Sequence, residues 1–225
     1  MRATVNYTVA SESSSLYQIE ATIQTALTAP LPGRHAHLLL APRPRRGWKP
    51  DHVPSAATRA AALLLLFPLD DTPHVLLTVR AGRLTQHGGQ VSLPGGVVEG
   101  NESVPEAALR ETAEEVGIDT TDVRILGALS TLYIPVSDFA LQPVLGLSEK
   151  APRLRPAAAE VSRVLQVPLA DIGDPRNLRL GTRWRRDRYY HVPYFAIQEE
   201  RVWGATAMVL AELLGVLGNL PRDPW

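Results

Sequence analysis

Gly96-Val97-Val98-Glu99-Gly100-Asn101-Glu102-Ser103-Val104-Pro105-Glu106-Ala107-Ala108-Leu109-Arg110-Glu111-Thr112-Ala113-Glu114-Glu115-Val116-Gly117-Ile118 is the stretch on which the reading of this chain turns. Ser103 followed three residues later by Glu106 is a capping box, in which each side chain accepts a backbone N–H at the start of a helix. Pro105 falls in the first turn, where its missing N–H costs little. Gly117 supplies the left-handed backbone that ends many helices. The pattern predicts a helix over Val104 to Val116 that packs Ala107, Ala108, Ala113 and Val116 inward. Glu111, Glu114 and Glu115 then fall at i, i+3 and i+4, on one face. Like charges at that spacing repel unless something neutralises them. A hard divalent cation would do so, since Mg²⁺ takes oxygen ligands and suits carboxylates combined with phosphate. Glu102, in the loop before the helix, can reach the same place, and Arg110 can fork to a carboxylate and hold it. Taken alone, Arg-Glu-x-x-Glu-Glu reads more readily as a solvated acidic helix face.

Outward from this helix the texture is that of strands. Ala60 to Phe67 is an apolar run closed by Pro68, and His74 to Arg80 follows after the turn sequence Asp70-Asp71-Thr72-Pro73. Val123 to Leu132, Phe139 to Leu147, Val161 to Val167 and Arg188 to Ile197 read as further strands. Ala205 to Leu217 reads as a closing helix. Leu16, Ile19, Ile23, Ala26 and Leu27 recur at helical spacing and predict a helix over Leu16 to Thr28. Prolines at 30, 32, 42, 44, 50 and 54 then predict an irregular arm, which also carries Arg43, Arg45, Arg46 and Lys49. Strands with interspersed helices predict an α/β protein whose mixed sheet is covered by helices.

The composition narrows the function. The 225 residues carry 23 basic and 23 acidic side chains, so the formal charge is zero. Bulk attraction to nucleic acid or to an anionic membrane is not expected. There is no cysteine, hence no disulfide, thiolate metal site or cysteine nucleophile. Of the basic residues 21 are Arg, against only Lys49 and Lys150. Met1 to Ser15 is polar and lacks the apolar core of a signal peptide. Glu212 and two glycines interrupt the apolar stretch Val202 to Leu217, which reads as a packed helix rather than a membrane span. A cytoplasmic protein is the expectation.

The segment from Gly96 to Ile118 resembles the Nudix box, G-x5-E-x7-R-E-U-x-E-E-x-G-U, where U is a bulky apolar residue. Gly96, Glu102, Arg110, Glu111, Glu114, Glu115, Gly117 and Ile118 match, and Thr112 stands at the first U. Its seven fixed letters would coincide by chance at roughly one in a hundred million per start point. The resemblance implies an α/β/α sandwich with a mixed β-sheet and hydrolysis of a nucleoside diphosphate linked to another group, with Mg²⁺ or Mn²⁺ as cofactor. It implies Glu111 and Glu115 as principal metal ligands, with Glu114, Glu102 and the Gly95 carbonyl assisting. It implies that Arg110 orients a glutamate. Glu114 and Glu160 are the candidates for the proton-accepting base. The organisation read from the chain is a flexible tail over 1–15, a helix and proline-rich arm over 16–58, and a Nudix hydrolase domain over 59–222. By analogy with Nudix relatives a homodimer is expected, with a small-molecule substrate and no nucleic-acid or membrane partner.

Upstream, Leu76-Leu77-Thr78-Val79-Arg80-Ala81 leads through Gly89 into Leu93-Pro94-Gly95-Gly96. This is similar to the motif of the coenzyme A pyrophosphatase branch, L-L-T-x-R-(S/A)-x3-R-x3-G-x3-F-P-G-G, with Thr85 at the second Arg and Leu93 at the Phe. The resemblance extends over roughly Ala60 to Leu217. It implies cleavage of coenzyme A or a derivative to 4′-phosphopantetheine and adenosine 3′,5′-bisphosphate. A third phosphate needs cations, and Arg80 and Arg83 are the candidates, with His87 as a further phosphate contact. Two alternatives stand beside this reading. One is a Nudix hydrolase of ADP-ribose, NADH or another nucleoside diphosphate, which the two departures favour. The other is a non-catalytic Nudix-like binding module, which the complete set of glutamates disfavours.

Overall fold

The computed structural model describes residues 15–44, 52–82, 89–185, 188–221 and 223. In chain order the elements are helices α1 (Leu16–Ala26) and α2 (Gly33–Leu40), strands β1 (Thr58–Leu69), β2 (Thr72–Arg80), β3 (Val91–Ser92) and β4 (Gly95–Val97), and helix α3 (Val104–Val116). After a 3₁₀ turn come strands β5 (Val123–Ala128), β6 (Leu132–Ile134), β7 (Phe139–Ser148) and β8 (Val161–Pro168) and helix α4 (Leu169–Gly173). Strands β9 (Leu178–Arg185), β10 (Arg188–Ile197) and β11 (Glu200–Trp203) and helix α5 (Ala205–Val216) complete it.

The apolar run recognised in the sequence is the middle of β1, and it is buried on both sides. Successive side chains of a strand point to opposite faces. Ala61, Leu63, Leu65 and Phe67 accordingly pack with Ala107, Ala108 and Val116 of α3. Ala62, Leu64 and Leu66 belong to the larger cluster on the other face, with α1, α2 and α5. The result is an α/β/α sandwich. Strand β1 runs parallel to β7, while the other pairings are antiparallel, so the main sheet is mixed. Strands β9, β10 and β11 form a separate antiparallel sheet.

One detail of the topology sets up the site. Strands β1 and β2 pair only near their connecting turn, from Leu66↔Val75 to Leu69↔Thr72. Beyond that they part, and two short strands fill the fork. Strand β4 pairs with Ala60–Ala62 of β1, and β3 pairs with Thr78 and Val79 of β2. The Leu93-Pro94-Gly95-Gly96 turn therefore crosses the fork and is anchored on both sides.

The structure differs from the sequence expectations in three places. The span Val123 to Leu132 is two strands, β5 and β6, which pair with β7 separately, β5 along 144–148 and β6 along 139–141. Strand β9 has no counterpart among the expected strands; its exposed Leu180 and Trp184 break the apolar alternation that marks a half-buried strand. The proline-rich arm contains α2, between Pro32 and Pro42, which buries Ala36, Leu39 and Leu40. No local side chain caps α2. Instead the buried carboxylate of Glu212 in α5 accepts the Gly33 N–H (3.2 Å) and the Ser130 N–H (3.1 Å), and it bonds His37 Nε2 at 2.8 Å. Of the basic residues in the arm, Arg45, Arg46 and Lys49 lie outside the described residues. Among the described residues no helix is long and apolar enough to cross a membrane.

Candidate active site

Helix α3 forms as its sequence dictates. The Ser103–Glu106 capping box is closed in both directions, and Gly117 ends the helix at φ +67°. A Cβ at Gly117 would also lie 2.5 Å from the Arg155 carbonyl, so glycine is required there twice over. Thr112, the departure from the Nudix pattern, is fully buried. Its hydroxyl donates to the Ala108 carbonyl at 2.6 Å, so the polar group is satisfied within the helix and the methyl packs.

The buried stripe of α3 continues directly into the chemistry. Glu111 and Glu115 lie one turn apart on the side that meets the fork, and Glu115 is only 4% exposed. Gly95 N–H donates to Glu115 Oε2 at 3.4 Å. A Cβ at Gly96 would sit 2.2 Å from Glu111 Oε1, inside the carboxylate, so only glycine lets strand β4 approach this closely. The paired glycines thus place a backbone ridge against two carboxylates.

Arg110 organises the remaining acids. Its Nε and Nη2 form a fork to Glu102, at 3.1 and 2.8 Å. Nη1 reaches Glu111 at 3.0 Å and Glu114 at 3.3 Å. Nη2 also donates to the Val97 carbonyl at 3.1 Å, a contact the sequence offered no signal for. The fork and the Glu99 N–H hold the Glu102 carboxyl below the usual range. Two groups go the other way. Burial pushes Glu115 up to about 7, opposed by Arg80 and the Gly95 N–H and reinforced by the negative charges of Glu111 and Glu160. Burial also raises Glu111, opposed by Arg110 and reinforced by Glu114 and Glu160.

Glu160 therefore belongs to this cluster despite its distance in sequence. It immediately precedes β8, where the Ala81 N–H donates to its carbonyl at 2.7 Å. Arg80 comes from the end of β2, and its Nη1 lies 3.7 Å from Glu115 Oε1. Arg80 Nε is buried without a hydrogen-bond partner among the described residues. The structure thus brings together Glu102, Arg110, Glu111, Glu114, Glu115, Glu160, Gly95, Gly96 and Arg80. Arg83, Thr85 and His87 lie outside the described residues.

The donor set is entirely oxygen. A buried and a half-buried carboxylate, mutually repelling beside a backbone ridge, match the chemistry of a hard divalent cation. Among the described residues no three acidic or histidine side chains form a ready ligand shell. Arg110 instead draws Glu102, Glu111 and Glu114 towards itself.

Comparison with known proteins identifies the family and the fold. The family model described as "NUDIX domain" matches residues 57–191. An uncharacterized Nudix hydrolase NudL of Pectobacterium atrosepticum is 35% identical over 176 residues, covering 76% of this chain and 90% of the relative. The protein of the same name from Cronobacter sakazakii is 36% identical over 169 residues, covering 72% and 85%. Among solved structures, the M. smegmatis Nudix hydrolase RenU superposes with a TM-score of 0.53 at 19% identity, covering 74% of this chain and 89% of RenU, which speaks for the fold. With the glutamates, the arginine and the paired glycines assembled on this sandwich, the chain belongs to the Nudix hydrolase family.

Proposed function

We propose that the protein is a metal-dependent Nudix pyrophosphohydrolase that splits coenzyme A, or a derivative, at its diphosphate. The products would be 4′-phosphopantetheine and adenosine 3′,5′-bisphosphate. The observation that carries the hydrolase reading is the position of Arg80 among the carboxylates, while the choice of coenzyme A rests on the resemblance of the stretch that contains it. Arg80 belongs to the Leu76–Ala81 stretch that resembles the coenzyme A branch, and its guanidinium lies beside Glu115. The replacement at Leu93 weighs little against it, because Leu93 is a buried core residue and the change is one of packing.

Glu111 and Glu115 would hold Mg²⁺ or Mn²⁺, assisted by Glu102, Glu114 and the Gly95 carbonyl; the bound ion offsets the diphosphate charge and lowers the pKa of a bound water. Arg110 fixes the carboxylates in register with the Val97 backbone. Glu160 is the better placed of the two candidate bases. Its charge is felt by both Glu111 and Glu115 from another element, whereas Glu114 is tied to Arg110. A carboxylate there can take the proton from the attacking water.

Arg80, beside the metal-binding carboxylates, is positioned for the diphosphate itself. Recognition of the 3′-phosphate then falls to other cations, Arg83 among them. Arg80→Ala is expected to lower kcat/KM by about tenfold to a hundredfold, the loss of a charge-assisted contact, and to do so equally for coenzyme A and dephospho-coenzyme A. A loss confined to coenzyme A would move Arg80 to the 3′-phosphate.

The substrate is tested by chromatography of parallel reactions with coenzyme A, ADP-ribose and NADH at equal concentration, with Mg²⁺ or Mn²⁺. Adenosine 3′,5′-bisphosphate released well ahead of any AMP is the expected result. AMP from ADP-ribose or NADH with coenzyme A intact would discard the substrate and keep the hydrolase.

A further inference from the structure

The charge of the chain is zero overall but not locally. Between Leu178 and Tyr190 lie Arg179, Arg183, Arg185, Arg186 and Arg188, against Asp187 as the single acid. This stretch belongs to the β9–β10 hairpin. The root of the hairpin is built into the protein: Leu178 and Phe195 pack in the larger core cluster, and β11 pairs with Tyr194–Ile197. The Arg43–His191 bridge ties β10 to the arm further along. Beyond it, among the described residues, the two strands pair only with each other, as far as Arg185↔Arg188. Large apolar side chains stand in water there: Leu180 is 45% exposed, Trp184 60% and Tyr189 65%. Trp184 lies directly opposite Tyr189, and the two rings meet edge to face at 4.6 Å. Leu180 shares their face, whereas Arg179 and Arg183 fall on the other.

Two features select a partner for this end of the hairpin. The positive charge calls for an anionic surface, and it opposes a second copy of the same hairpin, since like charges brought together repel. The sorting of aromatic and cationic side chains onto opposite faces suits the boundary between water and lipid. There Trp and Tyr sit at headgroup level, and arginines bond phosphates while their stems lie along apolar surface. A single-stranded nucleic acid would instead need bare rings on the cationic face for its bases to stack on. Tyr194 and Trp203 are the rings on that face, in one row with Arg179. Both are already covered by the protein's own cations: Arg183 lies over Trp203 at 4.4 Å and Arg201 over Tyr194 at 5.2 Å.

We propose that the β9–β10 hairpin docks the protein on an anionic lipid surface, with the Trp184–Tyr189 end foremost and its arginines on the headgroup phosphates. The expectation of no membrane partner rested on the net charge of the whole chain, and the hairpin concentrates charge that the net value hides. The proposal does not depend on which diphosphate is cleaved. The test sediments the full-length protein with vesicles of phosphatidylcholine, and with vesicles of phosphatidylcholine and phosphatidylglycerol in equal parts. Binding to the anionic vesicles is about tenfold or more tighter than to the neutral ones, and it weakens as salt is raised. Arg183→Glu with Arg188→Glu reduces it about tenfold or more, and so, separately, does Trp184→Ser with Tyr189→Ser. Thermal unfolding shows that both proteins are folded, and their turnover of the soluble substrate is unchanged. Equal binding to the two kinds of vesicle, no binding to either, or binding that survives both pairs of substitutions in folded protein overturns the proposal. Binding to a single-stranded oligonucleotide without binding to vesicles overturns it in favour of nucleic acid. A dimer in gel filtration that Trp184→Ser with Tyr189→Ser dissolves, again without binding to vesicles, overturns it in favour of a second copy of the chain.

Discussion

Glu115→Gln is expected to reduce turnover on the order of a thousandfold or more while leaving the protein folded. The substitution keeps the shape of the side chain, and its amide oxygen can still accept the Gly95 N–H that Glu115 accepts now. What it removes is negative charge at the point where a dication must be held against a diphosphate. The measurements are steady-state turnover, Mn²⁺ binding by calorimetry, and circular dichroism to establish the fold. Turnover at the wild-type rate in folded Glu115→Gln protein would end the assignment of Glu115 as a metal ligand.

The second large effect is on stability, and its sign is opposite. Glu115 titrates at about 7 in the folded protein against 4.5 for the unperturbed group, chiefly because burial disfavours the anion. The folded state therefore holds its proton more tightly than the unfolded state does. The stabilisation is fully present below pH 4.5 and is lost as pH rises through about 7. A shift of this size corresponds to about 3 kcal/mol. In the metal-free protein, Glu115→Gln should lack this loss. At pH 8 in chelator it should be more stable than wild type by up to about 3 kcal/mol, or roughly 5–10 °C in Tm, and near wild type at pH 4. Some slope should persist after the substitution, since Glu111 is also raised by burial. Urea unfolding at the two pH values measures this directly. Identical pH slopes in the two proteins would show that Glu115 does not carry the penalty. Added Mn²⁺ at pH 8 should stabilise wild type far more than it stabilises Glu115→Gln, because the cation takes over the role of the proton.

The parts of the fold that were legible in the sequence are those whose signals are local. The Ser103–Glu106 box and Gly117 bounded α3 because every atom that makes those ends lies within a few residues. The spacing of Glu111, Glu114 and Glu115 put them on one face because helix geometry alone decides it. The α2 helix was not legible for the converse reason. Its N-terminal N–H is satisfied by Glu212, 179 residues away, and no local pattern announces such a cap. Likewise β9 exists by pairing with β10 rather than by an apolar face of its own. In the site, the box located five side chains and two glycines, but Arg80 beside Glu115, and Glu160 brought to the same end of the sheet just before β8, are products of the pairing of β2 with β8. The fully buried Thr112 shows the limit of motif reading. A letter that departs from the pattern performs the packing role through a hydrogen bond back to Ala108.

The parting of β1 and β2 also bears on how such an enzyme changes its diet over evolution. The segment between Arg80 and Gln90 is closed at its base by two backbone bonds, Arg80 N–H to Gln90 O and Gly89 N–H to Arg80 O, both 3.0 Å. The glycine ridge is secured separately, through β4 on β1 and through Leu63 N–H to the Pro94 carbonyl at 2.9 Å. An insertion or deletion inside the closed segment need not displace Gly95 or Gly96. Selection can therefore lengthen, shorten or recharge that segment while Gly95 and Gly96 stay in place.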